Sequence, residues 1–257
     1  MAGPAGAPRA ARWAEPLLPR VIGHRGAAAA APENTLPSLR EAKRQGAGGV
    51  EFDAKLTADG VPVLFHDETL DRTTDGRGPV AETRLRDIRR LDAGLWFGPE
   101  WLHTPVPLLE DALKLCIELD LDVNVEIKPC PGRELETAQQ VVRAVGRVWP
   151  GERKPPLLSS FAPDSLLAAR LAAPELPRGL LLWDDMGGWA AKARELDCVS
   201  IHCAEQYLTA ERADEIKRAG YALAVYTVND PVRARELTGW GADAIITDRP
   251  ETVAGAI

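Results

Sequence analysis

Three acidic side chains lie at the ends of two short segments that have the apolar, β-branched composition of β-strands. Glu51 and Asp53 end one segment, and Glu126 ends a later one, followed by Lys128. Because alternate residues of a strand point to the same side, Glu51 can point with Asp53, and Glu126 with Lys128. Three converging carboxylates repel one another in a partly dry site, and a hard cation that prefers oxygen ligands, Mg²⁺ or Ca²⁺, would neutralise them. The spacing therefore indicates a divalent-cation site.

Imidazole and cationic side chains follow the same kind of segment. His24 and Arg25 follow the first apolar run of the chain, and His66 ends a short extension of the second. The alternative to a metal site is that the acids form solvated or ion-paired groups with Arg25 and Lys128. The combination of carboxylates, cations and imidazoles in one set favours the functional interpretation.

These side chains can converge only if the segments that carry them are neighbours in one sheet. From Arg20 onward, short runs rich in Leu or β-branched residues alternate with longer helical patterns, which is typical of βα units around a parallel sheet. The predicted strands are residues 21–23, 49–54, 121–127, 157–161, 179–183, 198–202, 221–228 and 244–247. The predicted helices are residues 35–45, 108–119, 133–148, 163–171, 190–196, 210–219 and 231–238. Eight strands predict an α/β protein with a (β/α)8 TIM barrel, in which catalytic groups sit at the carboxyl ends of the strands.

The segment between the second and third predicted strands is longer than a βα connection requires. Residues 61–66 are predicted to extend the second strand as a hairpin. Residues 67–107, rich in Asp, Gly, Thr and Arg, are predicted to form a small capping insertion at the barrel mouth. Residues 1–19 are predicted to be a flexible leader, so that the barrel domain spans residues 20–257.

The composition limits the classes of partner and compartment. Lys and Arg total 31 against 38 Asp and Glu, a formal charge of −7, which disfavours binding to nucleic acid. No window approaches the run of about twenty apolar residues that crosses a bilayer, which predicts a soluble protein with no transmembrane segment. The four cysteines lack CxxC spacing, so the simplest compartment is the reducing cytoplasm. Cys198 and Cys203 flank His202, but the spacing fits no common zinc motif and predicts buried structural cysteines.

Two further polar residues lie close to the predicted strand ends. Glu33 precedes a helix whose predicted cap is Asn34 or Thr35, so its charge is interpreted as favouring the positive end of that helix. His202, near the end of the sixth predicted strand, is predicted to face the barrel mouth and to support the site without taking part in the chemistry.

Several blocks of the sequence occur in the order and at the spacing of a known family. They are Gly23-His24-Arg25-Gly26, Ala31-Pro32-Glu33-Asn34-Thr35, Val50-Glu51-Phe52-Asp53, residues 60–74, Val125-Glu126-Ile127-Lys128-Pro129 and Tyr226-Thr227-Val228-Asn229. Through these blocks the chain resembles the glycerophosphodiester phosphodiesterases. The resemblance covers Arg20 to the C-terminus, and a match of several blocks is far more specific than any single motif.

The resemblance implies a ligand set for the cation and a grip on the substrate. Glu51, Asp53 and Glu126 are expected to hold Mg²⁺ or Ca²⁺. Arg25 and Lys128 are expected to bind the phosphate, for which guanidinium and ammonium groups are suited. The implied partner is a small-molecule glycerophosphodiester, and the oligomeric state stays open.

The resemblance also implies that His24 and His66 act as general base and general acid, a role that suits imidazole near neutral pH. In the family's mechanism, one histidine deprotonates a hydroxyl of the glycerol moiety, which attacks phosphorus, and the other protonates the departing alcohol. Water then opens the cyclic phosphate and leaves glycerol 3-phosphate. The substrate supplies its own nucleophile, so no Ser or Cys nucleophile is required.

The chain departs from the family pattern at Tyr226, where many members carry Trp. An aromatic wall beside the glycerol is retained, so Tyr226 is a predicted substrate-binding residue, but the size of the pocket changes. The aromatic residues of the insertion are expected either to line the leaving-group side or to pack the insertion onto the barrel. They are Trp96, Phe97 and Trp101.

Three alternatives compete with this assignment. A lysophospholipase D would act on acylated glycerophosphodiesters and would need an exposed apolar groove in the insertion. A non-catalytic barrel could bind phosphate esters, although the presence of His24 and His66 with all three carboxylates argues against it. A metal-dependent amidohydrolase would need His-x-His after the first strand, where this chain has His24 alone.

Overall fold

The computed structural model describes residues 16–184 and 187–257. Eight strands are joined in parallel in the order β1-β9-β8-β7-β6-β5-β4-β2, and pairing of β1 with β2 closes the ring. The strands are β1 (Val21–His24), β2 (Gly49–Leu56), β4 (Asp122–Ile127), β5 (Leu157–Ser160), β6 (Arg178–Leu182), β7 (Ser200–Ala204), β8 (Ala222–Tyr226) and β9 (Ala244–Thr247). The predicted (β/α)8 TIM barrel is therefore confirmed.

The described residues also form a short ninth strand and nine α-helices. Strand β3 (Pro62–Leu64) pairs antiparallel with the end of β2, as the predicted hairpin requires. The helices are α1 (Leu36–Arg44), α2 (Leu85–Ile88), α3 (Leu109–Glu118), α4 (Glu134–Val148), α5 (Pro163–Ala172), α6 (Trp189–Glu195), α7 (Ala210–Arg218), α8 (Pro231–Gly239) and α9 (Pro250–Ala254). Helices α2 and α9 are not among the predicted helices, because four or five residues are too few to show a helical period.

Helix α1 begins where the sequence left two candidates for its cap. The side chain of Thr35 accepts a hydrogen bond from the backbone N–H of Ser38, at 3.4 Å, so Thr35 is the cap. Pro37 lies in the first turn, where its missing N–H costs nothing. Asn34 is thereby free for a different contact, described below.

The apolar core has two layers, as the alternation of side chains in the strands requires. Phe52 and Ile127 are fully buried in the outer layer, where strand residues meet helix residues such as Leu113. A smaller cluster that includes Ile22 and Leu157 fills the inside of the barrel. The neighbours of Phe52 and Ile127 in sequence therefore point into the barrel.

Residues 67–107 contain α2 and two short 3₁₀-helices, Val80–Glu82 and Pro99–Trp101. Their apolar side chains form a cluster with those of β3, which joins the segment to the rest of the chain. The cluster consists of Val63, Phe65, Leu70, Val80, Ile88, Ala93 and Val106. The role of the segment as a cap over the mouth stays a prediction.

Most of the predicted leader lies outside the described residues, since the description begins at Pro16. From there the chain runs against the barrel. Lys154 Nζ donates to the carbonyl oxygen of Pro16 at 2.7 Å, and Leu18 is buried against the inner cluster. In the two described stretches, we find no helix with the length and apolar character needed to cross a membrane.

Candidate active site

The turn after β1 depends on two glycines. A Cβ on Gly23 would lie 2.3 Å from the carbonyl oxygen of Gly26, and a Cβ on Gly26 would lie 2.3 Å from Ser38 Oγ. Gly26 also has φ +90°, a left-handed conformation that favours glycine. The same turn is fixed to α1, because Ser38 Oγ donates to the carbonyl oxygen of Arg25 at 2.9 Å. It places His24 and Arg25 at the wall of the cavity at the barrel mouth.

The three carboxylates converge as the sequence predicted. One oxygen atom from each of Glu51, Asp53 and Glu126 lies within 4.8 Å of the others, and all three residues are buried. A set of three buried carboxylate oxygens fits a hard divalent cation, because such a cation prefers oxygen ligands and would offset the repulsion between the carboxylates.

The ion pairs that the sequence offered as an alternative are also present. Arg25 Nε lies 3.3 Å from Asp53 Oδ2, and Lys128 Nζ lies 2.7 Å from Glu126 Oε1. Among the described residues, Glu51 makes no ion pair and accepts only the backbone N–H of Arg25, at 3.1 Å. Cation binding and ion pairing therefore share one site, and Glu51 is the carboxylate with the least compensation.

The three carboxylic acids differ in the direction in which the site shifts their pKa values. Burial, followed by the charges of Asp53 and Glu126, raises the pKa of Glu51 well above its usual value. Burial and the charge of Asp53 raise the pKa of Glu126 to about 7. Burial also opposes ionisation of Asp53, but the charges of Arg25 and Lys128 outweigh it and lower the pKa to about 2. A bound cation would favour the ionised form of all three.

Each candidate catalytic histidine is held by an aspartate. His24 Nδ1 lies 2.7 Å from Asp248 Oδ1, and His66 Nδ1 lies 2.7 Å from Asp67 Oδ1. Asn229 Nδ2 donates to the second oxygen of Asp248, at 2.7 Å. In both rings this leaves Nε2 as the nitrogen that can exchange a proton with a ligand, since both histidines line the cavity.

Glu33 joins the phosphate-binding side of the site to the insertion. Its carboxylate accepts from Arg25 Nη1 at 2.7 Å and from two nitrogens of Arg72, at 2.7 and 2.8 Å. Arg72 in turn donates to both oxygens of Asp67. The structure thus pairs the charge of Glu33 with two guanidinium groups, which the sequence interpretation did not predict, and its effect on the helix end stays a prediction.

The cavity at the barrel mouth has a volume of about 420 Å³ and two chemically different sides. The charged residues occupy one side. Aromatic side chains form the other, with Phe161 and Tyr226 in edge-to-face contact at 6.1 Å between ring centroids. Lys128 Nζ lies 5.3 Å from the centre of the Phe161 ring, so the two sides meet there. The hydroxyl of Tyr226 donates to the carbonyl oxygen of Leu182 at 2.7 Å, which fixes the ring of this predicted substrate-binding residue.

The aromatic residues of the insertion pack against each other. Phe97 makes edge-to-face contacts with Trp96 and Trp101, at 5.5 and 6.3 Å between centroids. None of the three is among the residues that line the cavity. The expectation that they line the leaving-group side is therefore not met, and the expectation that they pack the insertion onto the barrel stays a prediction.

His202 does not take the position predicted for it. Strand β7 begins two residues later than expected, so His202 lies in the middle of the strand and is fully buried. Its Nε2 lies 3.0 Å from Ser200 Oγ, and burial lowers the pKa of the ring to about 3. Cys198 and Cys203 are both buried, as predicted.

Several residues of the site were not predicted. Asp248, Phe161 and Trp183 follow strands β9, β5 and β6, so the rule that barrel sites form at strand ends could have found them. Asp67 follows His66 directly in the sequence, so it could have been predicted as the hydrogen-bond partner of that histidine. Asn34 gives no such signal, because its contact with the site depends on the tertiary fold.

The fold and its charged mouth define a TIM-barrel protein with an acid- and histidine-lined site, and comparison with known proteins gives the family. The sequence model of the glycerophosphoryl diester phosphodiesterase family matches residues 24–252. The chain belongs to this family.

Bacterial relatives match over most of their length. A glycerophosphodiester phosphodiesterase of Caldanaerobacter subterraneus is 35% identical over 237 residues, covering 91% of this chain and 95% of that protein. One from Bacillus subtilis is 32% identical over 248 residues, covering 90% and 83%. A solved structure, an Oleispira antarctica phosphodiesterase in complex with the product sn-glycerol-3-phosphate, is 38% identical with a TM-score of 0.90, covering 93% and 96%.

Proposed function

We propose that this chain hydrolyses glycerophosphodiesters to glycerol 3-phosphate and an alcohol, with a divalent cation and two histidines. The observation that carries the proposal is the meeting of three buried carboxylates and two Asp–His pairs around one cavity. Family membership and the product named for the Oleispira antarctica structure support the substrate class. A cluster of carboxylates by itself is common in proteins. Carboxylates that can hold a cation, combined with two Asp–His pairs, supply the groups that metal-assisted phosphoryl transfer uses.

The residues proposed to hold the cation are Glu51, Asp53 and Glu126, and the cation is Mg²⁺ or Ca²⁺. When bound, it supplies Lewis-acid stabilisation of charge on the phosphate and on the attacking hydroxyl. Arg25 and Lys128 bind the remaining phosphate charge. The carboxylates of Asp53 and Glu33 hold the Arg25 guanidinium in place before substrate arrives, which reduces the entropy cost of binding.

We assign His24 as the general base and His66 as the general acid. His24 Nε2 takes the proton of the glycerol hydroxyl that attacks phosphorus, and Asp248 stabilises the imidazolium that forms. Burial, with Arg25 and Lys128, lowers the pKa of His66 in the free protein. A bound phosphodiester anion adds negative charge beside His66, which favours the protonated ring that donates to the departing alcohol. Water then opens the cyclic phosphate.

The two histidine roles can be separated by the leaving group. Each His→Ala variant is expected to lose on the order of a hundredfold or more in kcat with a choline or ethanolamine ester. With a nitrophenyl ester of glycerol phosphate, His66→Ala should recover much of this loss, because nitrophenolate leaves without a proton. His24→Ala should not recover. If the nitrophenyl ester rescued His24→Ala instead, the two roles would be exchanged. If it rescued neither variant, His66 would not be the general acid.

The nucleophile has its own test. A substrate analogue that lacks the glycerol 2-hydroxyl should turn over poorly, because the attacking group is missing. Equal rates for the deoxy analogue and the parent ester would show that water attacks phosphorus directly.

The competing lysophospholipase D activity depends on an apolar groove in the insertion. The aromatic residues of the insertion pack on each other and do not line the cavity, which favours unacylated substrates. An assay of glycerophosphocholine, glycerophosphoethanolamine, glycerophosphoglycerol and a lysophospholipid distinguishes the two activities. Release of lysophosphatidate would support the lysophospholipase, and turnover of none would support a non-catalytic barrel.

We also propose a cytoplasmic location and no nucleic-acid partner. The four cysteines are buried, and the sequence has neither the number nor the spacing of cysteines that a disulfide scaffold shows, which suits a reducing compartment. The net charge of −7 disfavours a polyanionic partner. Fractionation of the native cells and a filter-binding assay with duplex DNA would test these two points.

A further inference from the structure

Two polar side chains deep in the cavity lack hydrogen-bond partners among the described residues. Asn124 is 1% exposed, and neither Nδ2 nor Oδ1 of its amide is bonded. Ser159 is fully buried, and its Oγ is not bonded. A buried amide or hydroxyl without a hydrogen-bond partner destabilises the folded state. A fold that keeps two such groups on one cavity wall therefore points to a ligand that satisfies them.

The two groups lie directly below the carboxylates. Asn124 precedes Glu126 by two residues on β4, so it faces the same side one inward position deeper. In the strand register, Asn124 is opposite Glu51 on β2, and Ser159 is opposite Glu126 on β5. Leu157, two residues before Ser159, belongs to the apolar cluster inside the barrel. The polar pair is thus the floor of the cavity, above an apolar plug.

The chemistry of this floor fits a neutral hydroxyl group. The amide of Asn124 offers both a donor and an acceptor, and so does the hydroxyl of Ser159. A phosphate would need cations, and the two that line the cavity, Arg25 and Lys128, belong to the charged side of the mouth. The rest of the deep lining is apolar, with Leu181 and Ile246.

We propose that Asn124 and Ser159 bind the terminal hydroxyl of the glycerol moiety, the hydroxyl that does not attack phosphorus. The assignment rests on the proposed function, since it places a glycerophosphodiester in the cavity. It also sets specificity. In a lysophospholipid this terminal oxygen carries an acyl chain, and a closed floor that bonds a hydroxyl excludes that chain.

The test pairs two substrates that differ only in this hydroxyl. One is the ethanolamine diester of glycerol phosphate, and the other is the same diester of propane-1,2-diol, which retains the attacking hydroxyl. Wild-type kcat/KM should favour the glycerol ester by on the order of tenfold to a hundredfold, because the propanediol ester leaves the floor unsatisfied. Asn124→Leu and Ser159→Ala should each reduce this preference by slowing the glycerol ester alone.

Ser200→Ala is the matched control. Ser200 is also a fully buried serine in a barrel strand, but it is bonded to His202 and does not line the cavity. Its substitution should leave the substrate preference unchanged. If Asn124→Leu does not fold, Ser159→Ala, which removes a single oxygen atom, carries the test alone.

Three outcomes overturn the assignment. An active wild type without preference for the glycerol ester overturns it, and so does a floor variant that slows both esters equally, as expected if the floor binds only water. If Ser200→Ala lost the preference for the glycerol ester as fully as the floor variants do, the loss would come from a general change in structure and would overturn the assignment. A wild type inactive on both esters would instead overturn the proposed function, and this assignment with it.

Discussion

Asn34 holds Asp53 by two hydrogen bonds. Its Nδ2 donates to Asp53 Oδ2 at 2.8 Å, and its Oδ1 accepts from the backbone N–H of Asp53 at 3.1 Å. Asn34 has φ 56°, a left-handed conformation that asparagine tolerates better than most residues. The amide therefore fixes both the strand and the carboxylate at the proposed cation site, as partners of metal ligands commonly do.

Removal of this amide should weaken cation binding. Asn34→Gly keeps the left-handed backbone but leaves Asp53 unsupported, and we expect a loss of about 10–100-fold in Mg²⁺ or Ca²⁺ affinity, measured by calorimetry. The effect of Asn34→Asp on cation affinity should differ from that of Asn34→Gly, because the new side chain places a fourth carboxylate beside those of Glu51, Asp53 and Glu126. Wild-type affinity in Asn34→Gly, with the fold intact by circular dichroism, would contradict the supporting role of Asn34.

The contribution of Glu126 to the stability of the cation-free protein should fall as pH rises toward neutrality. Burial and the charge of Asp53 raise the pKa of Glu126 from 4.5 to about 7, so the folded protein keeps a proton that the unfolded chain loses. This contribution is fully present below pH 4.5 and is lost as pH rises through about 7. In urea denaturation with chelator, the free energy of unfolding of wild type relative to that of Glu126→Gln should fall between pH 5 and pH 8. Parallel curves for the two proteins would contradict the raised pKa.

The aspartates behind the histidines should matter for rate. Asp248→Asn and Asp67→Asn each remove the carboxylate that stabilises an imidazolium, and kcat should fall by on the order of a hundredfold with an ethanolamine ester. Asp71→Asn is the control, since Asp71 is an acid of the same insertion that pairs with the exposed Arg77. If Asp67→Asn lost no more activity than Asp71→Asn, the pair of His66 with Asp67 would have no catalytic role.

The barrel and its carboxylates could be predicted because both depend on local pattern. Alternation places Glu51 with Asp53, and the spacing of apolar runs gives the eight strands. The blocks shared with the family add the histidines. Strand ends were less certain, and a shift of two residues at β7 moved His202 from the expected mouth into the barrel.

The partners of the predicted residues could not be found in the same way. Asp248 reaches His24 only because β9 lies beside β1, and Asn34 reaches Asp53 only because the turn before α1 folds over β2. In the sequence, Asn124 and Ser159 are ordinary polar residues of strands. Their lack of partners becomes visible only when every neighbour is placed.

The most direct test of the account is release of glycerol 3-phosphate from glycerophosphoethanolamine, before and after exhaustive chelation. We expect the chelated enzyme to be inactive and Mg²⁺ or Ca²⁺ to restore it, because without the cation the carboxylates of Glu51, Asp53 and Glu126 repel an anionic substrate and no Lewis acid offsets the charge on its phosphate. Glu51→Gln should fold normally and require far more cation for the same rate. Full turnover after chelation, or a wild-type cation requirement in Glu51→Gln, would contradict the account.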